Sequence, residues 1–323
     1  MAQSIDATYP EAPLFTIVMP AYRARATIAE AIASVFAQTE PSFELIIVDD
    51  GSPDDVAAVA AEVAGGDPRV RIIRQANAGP AAARNHGIAA GTGVLIAFLD
   101  ADDRWAAGHL AAHAKAFAAA PELGVSFGRI RFYDAELRHP GRSSAHVARL
   151  RLAQALGENA ICTTSNLTAR RATFDAVGGF DTALFHAEDQ EWVARLLAAS
   201  EWQVRGLDAV LVDYRTSAGG LSADLDAMRA GWRAMVDRVR IHAPVQVARA
   251  EGAAGALHER YLARRALRTG QPAGRAVHHL AAALRLSPAA LFANDAHRTV
   301  MTMAGTVAAC LLPAATIRAA LAR

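Results

Sequence analysis

The first hundred residues alternate between short runs of β-branched and aliphatic residues and stretches with helical periodicity. This alternation limits the possible folds more than any other feature of the chain. Four such runs predict strands, at 15–19, 44–48, 70–74 and 94–99. Between the first two, Ile28, Ile32 and Val35 recur on one face of a helix. Strands that alternate with helices predict an α/β, Rossmann-like fold with a mostly parallel sheet and helices on both faces.

Two of these strands run directly into acidic residues. The second ends at Asp49 and Asp50, and the fourth at Asp100, Asp102 and Asp103. Because ligands of such sheets bind at the carboxyl ends of the strands, we expect both clusters to share one rim.

The composition excludes several classes of protein. The chain has 323 residues, of which 53% are hydrophobic, and 33 basic against 32 acidic side chains give a net charge of +1. A core can therefore form, and the global basic field of a nucleic-acid-binding protein is absent. The two cysteines fit a reducing compartment.

The chain is expected to divide into three regions. Residues 1–13 form a loose leader, 14–219 an α/β domain and 220–323 a helical extension broken at Pro244, Pro272 and Pro288. No signal peptide is recognised, which predicts a cytoplasmic protein. The uncharged stretch 299–317 is expected to pack or to lie on a surface, so peripheral contact with a membrane is possible.

Asp100, Asp102 and Asp103 form the strongest candidate site. Carboxylates at the end of a buried strand need a cation or hydrogen-bond donors to offset their charge. Oxygen ligands without histidine or cysteine suit Mg²⁺ or Mn²⁺. The alternative is a solvated turn that caps the next helix.

The other polar candidates also have two interpretations. Asp50 is expected either to accept hydrogen bonds from a nucleotide or to belong to a cap, in which Ser52 starts the second helix. Arg84 is expected either to bind a phosphate or pair with an aspartate of the rim, or to be an ordinary surface arginine. Glu188 and Asp189 begin a predicted helix, either as dipole-compensating residues or with one of them as a general base.

Two common sites are not indicated. No G-x-G-x-x-G follows the first strand, which ends in Pro20-Ala-Tyr22, so a dinucleotide oxidoreductase is disfavoured. There is no G-x-S-x-G of a serine hydrolase.

Taken in order, the motifs resemble those of the family 2 glycosyltransferases of GT-A fold. The similar segments are Thr16-Ile-Val-Met-Pro-Ala-Tyr22, Glu44-Leu-Ile-Ile-Val-Asp-Asp-Gly-Ser52, Gly79 to Gly87 with Ala-Arg-Asn, Phe98-Leu-Asp-Ala-Asp-Asp-Arg-Trp105, Gly178-Gly-Phe-Asp181 and Glu188-Asp189. They cover about residues 14–216.

The resemblance implies a role for each matching residue. The implied nucleotide-binding residues are Pro20, Tyr22, Asp50, Arg84 and Asp100; the metal ligand is Asp102 or Asp103; the general base is Asp189; and the acceptor side includes Glu188, Trp192 and Gly179. Arg23 departs from the asparagine that the family has after its aromatic residue. The Q-x-x-R-W block of processive members is missing, which implies the addition of a single sugar.

The resemblance thus implies an inverting glycosyltransferase that uses Mn²⁺ or Mg²⁺. Its donor is a nucleotide sugar, most simply UDP-linked, and its acceptor is a glycan or a lipid-linked sugar. Two alternatives remain. A sugar-nucleotide nucleotidyltransferase needs a glycine-rich loop after the first strand, where this chain has Pro20-Ala-Tyr-Arg-Ala-Arg25. A non-catalytic binding protein is favoured by loss of the acidic residues, and these are present.

Overall fold

The computed structural model describes residues 12–134, 137–138, 140–216 and 224–311. Most of the predicted leader, 1–13, and the predicted boundary between residues 219 and 220 lie outside the described residues.

The N-terminal half alternates strands and helices as predicted. Its elements are β1 (Phe15–Ala21), α1 (Ile28–Phe36), β2 (Phe43–Asp49), α2 (Val56–Ala64), β3 (Val70–Arg74), α3 (Pro80–Ala90) and β4 (Leu95–Phe98). The four strands lie in the order β3-β2-β1-β4, and each neighbouring pair is parallel.

One predicted helix start is wrong. Ser52 does not cap α2, which begins at Val56 after Asp55. The Ser52 hydroxyl instead accepts a hydrogen bond from the Arg23 N–H (2.8 Å) and donates one to Asp54 (2.5 Å). The hydroxyl therefore joins the turns after β1 and β2.

The second half extends the same sheet with mixed pairing. Its elements are β5 (Arg104–Trp105), α4 (His109–Ala119), β6 (Leu123–Tyr133), β7 (Pro140–Ser143), β8 (Arg149–Leu150), α5 (Leu152–Ala155), a 3₁₀ turn (Thr164–Asn166), β9 (Leu167–Arg170), α6 (Arg171–Val177), α7 (Glu188–Ala199) and β10 (Gln203–Arg215). β9 lies antiparallel between β4 and β6, and β10 is parallel to β6. The sheet is thus parallel from β3 to β4 and mixed beyond.

Both faces of the sheet are covered, because alternate side chains of β1 enter different cores. Phe15, Ile17 and Met19 pack in the core that includes the buried residues of α1 and α4. Val18 packs on the other face, in the core that includes Trp192 of α7. The α/β architecture with helices on both faces is confirmed.

The C-terminal region is helical, as predicted. It contains α8 (Leu225–His242), α9 (Pro244–Arg268), α10 (Ala273–Leu286) and α11 (Pro288–Leu311). The Trp232 indole of α8 donates to the carbonyl of Leu156 (2.7 Å), and Met235 packs in the same core as Trp192. α11 bends at Asp295, where the backbone leaves the helical region (φ −165°).

Within the described residues, no helix has the length and apolar character needed to cross a bilayer. The described part of the uncharged stretch, 299–311, is the second half of α11. Thr299, Thr302 and Thr306 of this segment are buried, which agrees with a packed helix. Residues 312–317 of the stretch lie outside the described residues.

Candidate active site

The two acidic clusters lie at one rim of the sheet, as predicted. β2 and β4 flank β1 and run parallel to it, so the residues that follow these strands meet at one edge. The Asp50 N–H donates to the carbonyl of Ala21 (3.0 Å), which ties the turn after β1 to the turn after β2.

Asp50 is buried and holds the loop that precedes α3. Its carboxylate accepts hydrogen bonds from the Gln75 side chain (2.8 Å) and from the N–H groups of Ala78 and Gly79 (both 2.9 Å). A carboxylate has about four acceptor positions, so one remains for a further donor. Tyr22, by contrast, is 45% exposed, and the guanidinium of Arg23 lies 5.3 Å from its ring centre.

The three aspartates after β4 have different surroundings. Asp100 forms an ion pair with Arg84 (2.8 Å). Asp102 is exposed. Asp103 is buried and accepts from the Ser165 hydroxyl (2.6 Å) and the Arg215 N–H (3.0 Å). Ser165 also accepts from the Asp100 N–H (3.0 Å), so one hydroxyl fixes both ends of the turn.

The charge of this cluster is only partly offset by the protein. The surrounding protein and the charge of Asp100 raise the pKa of Asp102 to about 6, against the opposing effects of Arg215 and Arg84. Burial and the charges of Asp102 and Asp100 raise the pKa of Asp103 well above its usual range. A nearby cation favours ionised carboxylates, so these residues fit a divalent ion chemically.

No group of three or more His, Cys, Asp or Glu side chains in the described ranges is arranged to hold a metal alone. An ion at Asp102 would therefore take its remaining ligands from water or from a bound substrate, which is common for Mg²⁺. Because its carboxylate is the exposed one, Asp102 suits such an ion better than Asp103, whose oxygens already accept protein donors.

A buried arginine joins this cluster to the start of α7. Different nitrogens of Arg84 donate to Asp100 and Glu188, each at 2.8 Å, and the side chain is 5% exposed. Burial alone would lower the pKa of Arg84, but the charges of Asp100 and Glu188 raise it. Burial and the charge of Asp189 raise the pKa of Glu188, and Arg84 lowers it. Arg84 is thus a buried ion-pair residue and not a surface arginine.

The neighbouring Asn85 positions the predicted acceptor-side glycine. Its amide donates to the carbonyl of Phe180 (2.8 Å) and accepts from the Phe180 N–H (2.9 Å). A Cβ on Gly179 would lie 2.4 Å from Asn85 Oδ1, so any other residue there would have to displace the Asn85 amide from its contacts with Phe180. The adjacent Arg84 and Asn85 therefore bind two different parts of the chain, the start of α7 and the turn before it.

The first two residues of α7, both acidic, face different partners. Glu188 faces Arg84, whereas Asp189 accepts from the side chain of Asn159 (2.9 Å). Trp192, predicted on the acceptor side, has no exposed surface. Its indole stacks on Phe174 (4.3 Å between ring centres) and donates to the carbonyl of Gly178. This placement corrects the acceptor-side prediction for Trp192, because a fully buried ring packs in the core.

Two polar residues at the site were not predicted. Asn159 contacts Asp189, and Ser165 contacts Asp103. Both lie between β8 and β9, where the sequence has no regular hydrophobic pattern. Their side chains are placed by tertiary contacts and not by a local motif.

Residues 16–178, about half of the chain, match the family described as "Glycosyl transferase family 2". The chain belongs to glycosyl transferase family 2. The sequence-based recognition of this family, and of a transferase, is confirmed.

Curated relatives of the transferase match it over shorter stretches. It is 46% identical over 95 residues to the succinoglycan biosynthesis protein ExoU of Rhizobium meliloti. This alignment covers 29% of this chain and 28% of ExoU. It is 37% identical over 94 residues to TuaG of Bacillus subtilis, named a putative teichuronic acid biosynthesis glycosyltransferase, covering 29% and 37% of the two chains. The match thus spans about a quarter to a third of these relatives.

Solved structures resemble the transferase over most of its length. S. aureus TarS in complex with UDP has a TM-score of 0.59 and 16% identity, over 90% of this chain and 89% of that one. The mannosyltransferase PcManGT of Pyrobaculum calidifontis, in complex with GDP-Man and Mn²⁺, has a TM-score of 0.51 and 20% identity, over 96% and 80%. At such identity the likeness shows the fold, and this confirms the GT-A type.

Proposed function

We propose that this transferase moves one sugar from a nucleotide sugar, most simply UDP-linked, to a hydroxyl of a glycan or lipid-linked acceptor, with inversion. The observation that carries the proposal is the contact of Arg84 with both Asp100 and Glu188. Through this contact one guanidinium joins Asp100, which follows β4, to Glu188 at the start of α7.

In this proposal Asp189 is the general base. It accepts the proton of the acceptor hydroxyl while that oxygen bonds to the anomeric carbon and the bond from this carbon to the diphosphate breaks. Asn159 orients the carboxylate through Oδ2 (2.9 Å). Attack from the face opposite the leaving group inverts the anomeric configuration.

The donor side is assigned to the rim residues. Tyr22 offers an exposed ring for a nucleobase, and Asp50 has one acceptor position left. Pro20 precedes Ala21, whose carbonyl accepts from the Asp50 N–H, and is assigned to the same side. Asp102, with Asp100 beside it, would hold Mn²⁺ or Mg²⁺. When bound, this ion supplies positive charge that stabilises the departing diphosphate.

Peripheral membrane contact is proposed for the C-terminal helices. Five large apolar side chains in the described part of α11 are exposed: Phe292, Val300, Met301, Val307 and Leu311. Such side chains can enter the interfacial region of a bilayer. Sedimentation with phosphatidylcholine vesicles tests this contact, and Met301→Ser with Val307→Ser should reduce it.

A panel of UDP- and GDP-linked sugars tests the transfer reaction. Purified protein with Mn²⁺ is expected to release nucleoside diphosphate from one class of donor, and mass spectrometry of the product gives the mass of the added sugar. NMR of its anomeric proton tests inversion. Asp189→Asn serves as the matched control protein, because it removes the proposed base and keeps the side-chain size. Equal release by both proteins would contradict the proposal.

A further inference from the structure

A stripe of arginines lies along α9. Arg260, Arg264 and Arg268 are spaced four residues apart and therefore share one face of the helix. Arg298 of α11 faces the same place. Like charges at this spacing destabilise a helix, so the stripe is unfavourable unless something negative offsets it.

Glu158 is the carboxylate at the centre of this cluster. Its oxygens lie 2.8 Å from Arg260, 2.9 Å from Arg298 and 3.8 Å from Arg264. One carboxylate therefore faces three guanidinium groups. Arg298 has a second partner in Asp295 (3.0 Å).

Arg260 has a structural explanation. Its side chain is 3% exposed and donates to Glu158, to the hydroxyl of Thr299 (2.9 Å) and to the carbonyl of Asp295 (3.2 Å). The last two contacts stabilise the bend in α11. Arg260 therefore has no donors to spare for a ligand.

Arg264 and Arg268 have no such explanation. In the part of the chain that the structure describes, the ion pair of Arg264 is the long one to Glu158, and Arg268 forms none. Burial lowers the pKa of Arg264 to about 10; Glu158 opposes this effect, and the charges of Arg268, Arg298 and Arg260 add to it. Arg268 is exposed, and the surrounding protein and the charges of Arg265 and Arg298 lower its pKa as well. Both guanidinium groups would gain from a negative ligand.

The cluster adjoins the proposed general base. Glu158, which contacts the arginines, is followed directly by Asn159, which donates to Asp189. Cys162 is influenced by the charges of both groups: burial, Glu158 and Asp189 raise its pKa to about 12, and Arg298 and Arg268 lower it. A ligand that presents a hydroxyl to Asp189 thus lies beside these arginines.

We propose that Arg264 and Arg268, supported by Arg298, bind a phosphoryl group of the acceptor, so that the transferase acts on a phosphate-bearing sugar. This inference deepens the proposed function and rests on it, since it assigns the acceptor side by its link to Asp189 through Glu158 and Asn159. Arginine guanidinium groups match phosphate oxygens in charge and geometry.

Glucose 1-phosphate, titrated calorimetrically into protein saturated with UDP and Mg²⁺, tests the site apart from turnover. Because UDP and Mg²⁺ occupy the donor and metal sites, the probe is left to bind at the arginines. The double variant Arg264→Gln/Arg268→Gln should raise its Kd by at least about tenfold, the effect of lost charged hydrogen bonds. Arg264→Lys/Arg268→Lys should retain part of the affinity. The matched control Arg249→Gln/Arg285→Gln removes two charges from exposed positions of α9 and α10 and should leave the Kd within about twofold.

Several results would overturn the inference. The first is that the wild-type protein shows no detectable binding of glucose 1-phosphate. The second is that the Gln variant has the same Kd as the wild-type protein, and the third is that the Gln variant and its control lose the same affinity. Binding of methyl glucoside as tight as that of glucose 1-phosphate would also contradict it. If only the sedimentation with phosphatidylglycerol vesicles depends on Arg264 and Arg268, the arginines contact an anionic membrane instead. Failure of the wild-type protein to bind UDP, or to release it from any donor, would count against the proposed function and not against the arginine site.

Discussion

Arg84 and Glu188 form an ion pair of 2.8 Å across 104 residues of sequence. The pair joins α3, which follows the third strand, to α7, which carries the proposed base. Removing one partner of a buried pair typically costs about 3–5 kcal/mol, since the other charge stays buried. Arg84 has a second partner in Asp100, so the stability lost when Glu188 is removed should lie at or below the lower end of that range.

Replacement of Asp189 by Asn should abolish most of the transfer and leave the fold intact. General base catalysis is worth about 10²–10⁴-fold, so we expect turnover to fall at least 100-fold. Asp189 is not part of the Arg84 ion pairs, so UDP affinity and the free energy of unfolding should change little. Steady-state kinetics and calorimetry with UDP measure both.

Glu188→Gln is the control for this prediction, because it alters the neighbouring carboxylate. It should lower the free energy of unfolding by weakening the contact with Arg84, with a smaller effect on turnover than Asp189→Asn. The reverse order of effects would exchange the roles of the two residues.

The two candidate metal ligands should respond differently to substitution. Asp102→Asn removes an exposed carboxylate and should abolish the stimulation of transfer by Mn²⁺ without loss of stability. Asp103→Asn places an amide against the donors Ser165 and Arg215, which should cost about 1–3 kcal/mol of folding stability. Activity in EDTA and after addition of Mn²⁺, together with urea unfolding, separates the two effects. Full wild-type activity in EDTA would remove the metal from the proposal.

The strands and the rim were predictable from the sequence because both depend on local patterns. The strand predicted at 70–74 coincides with β3, Asp50 follows β2 directly, and Asp100 lies two residues after the end of β4. Parallel pairing then brings distant segments to one edge without further information.

The contacts between α3, α7 and the loop after α5 were not predictable in this way. Nothing near Arg84 in the sequence indicates Glu188 as its partner, and nothing near Asn159 indicates Asp189. These pairs depend on how helices pack on the sheet, and that packing depends on the whole core. The burial of Trp192 illustrates the same limit. The sequence indicates that Trp192 lies in a helix, but not that its side chain points into the core.

Asp50 should contribute both to stability and to nucleotide binding. Asp50→Ala leaves three buried or partly buried donors without their acceptor, so we expect a loss of about 1–3 kcal/mol in the free energy of unfolding. If a nucleotide also contacts this residue, UDP affinity should fall by a similar amount. Gln75→Ala is the control, since it removes one loop contact and keeps the carboxylate. An equal loss of UDP affinity in both variants would restrict Asp50 to a structural role.

Gly179 and Asn85 should be energetically coupled. Gly179→Ala places a Cβ 2.4 Å from Asn85 Oδ1 and should destabilise the protein by about 1–3 kcal/mol. Asn85→Ala removes the obstacle but also both hydrogen bonds to Phe180. The double variant should therefore lose less stability than the sum of the single variants. If the losses in unfolding free energy measured in urea are strictly additive, the Cβ at position 179 does not contact the Asn85 side chain.

His113 should make the protein less stable in acid. The ring is fully buried on α4 and contacts the Ser126 hydroxyl through Nδ1 (3.0 Å), and burial lowers its pKa to about 3. Because the unfolded chain binds the proton near pH 6.5, stability is lost as the pH falls below that value, by about 1.4 kcal/mol per pH unit.

His113→Gln keeps a polar partner for Ser126 and removes the titration. The decrease in unfolding free energy between pH 7 and pH 5 should therefore be about 2 kcal/mol smaller in this variant. His278→Gln, at an exposed histidine, should leave the decrease unchanged. Urea titrations at the two pH values test this, and the same decrease in His113→Gln as in the wild-type protein would show that the ring is already charged or solvated in the folded state.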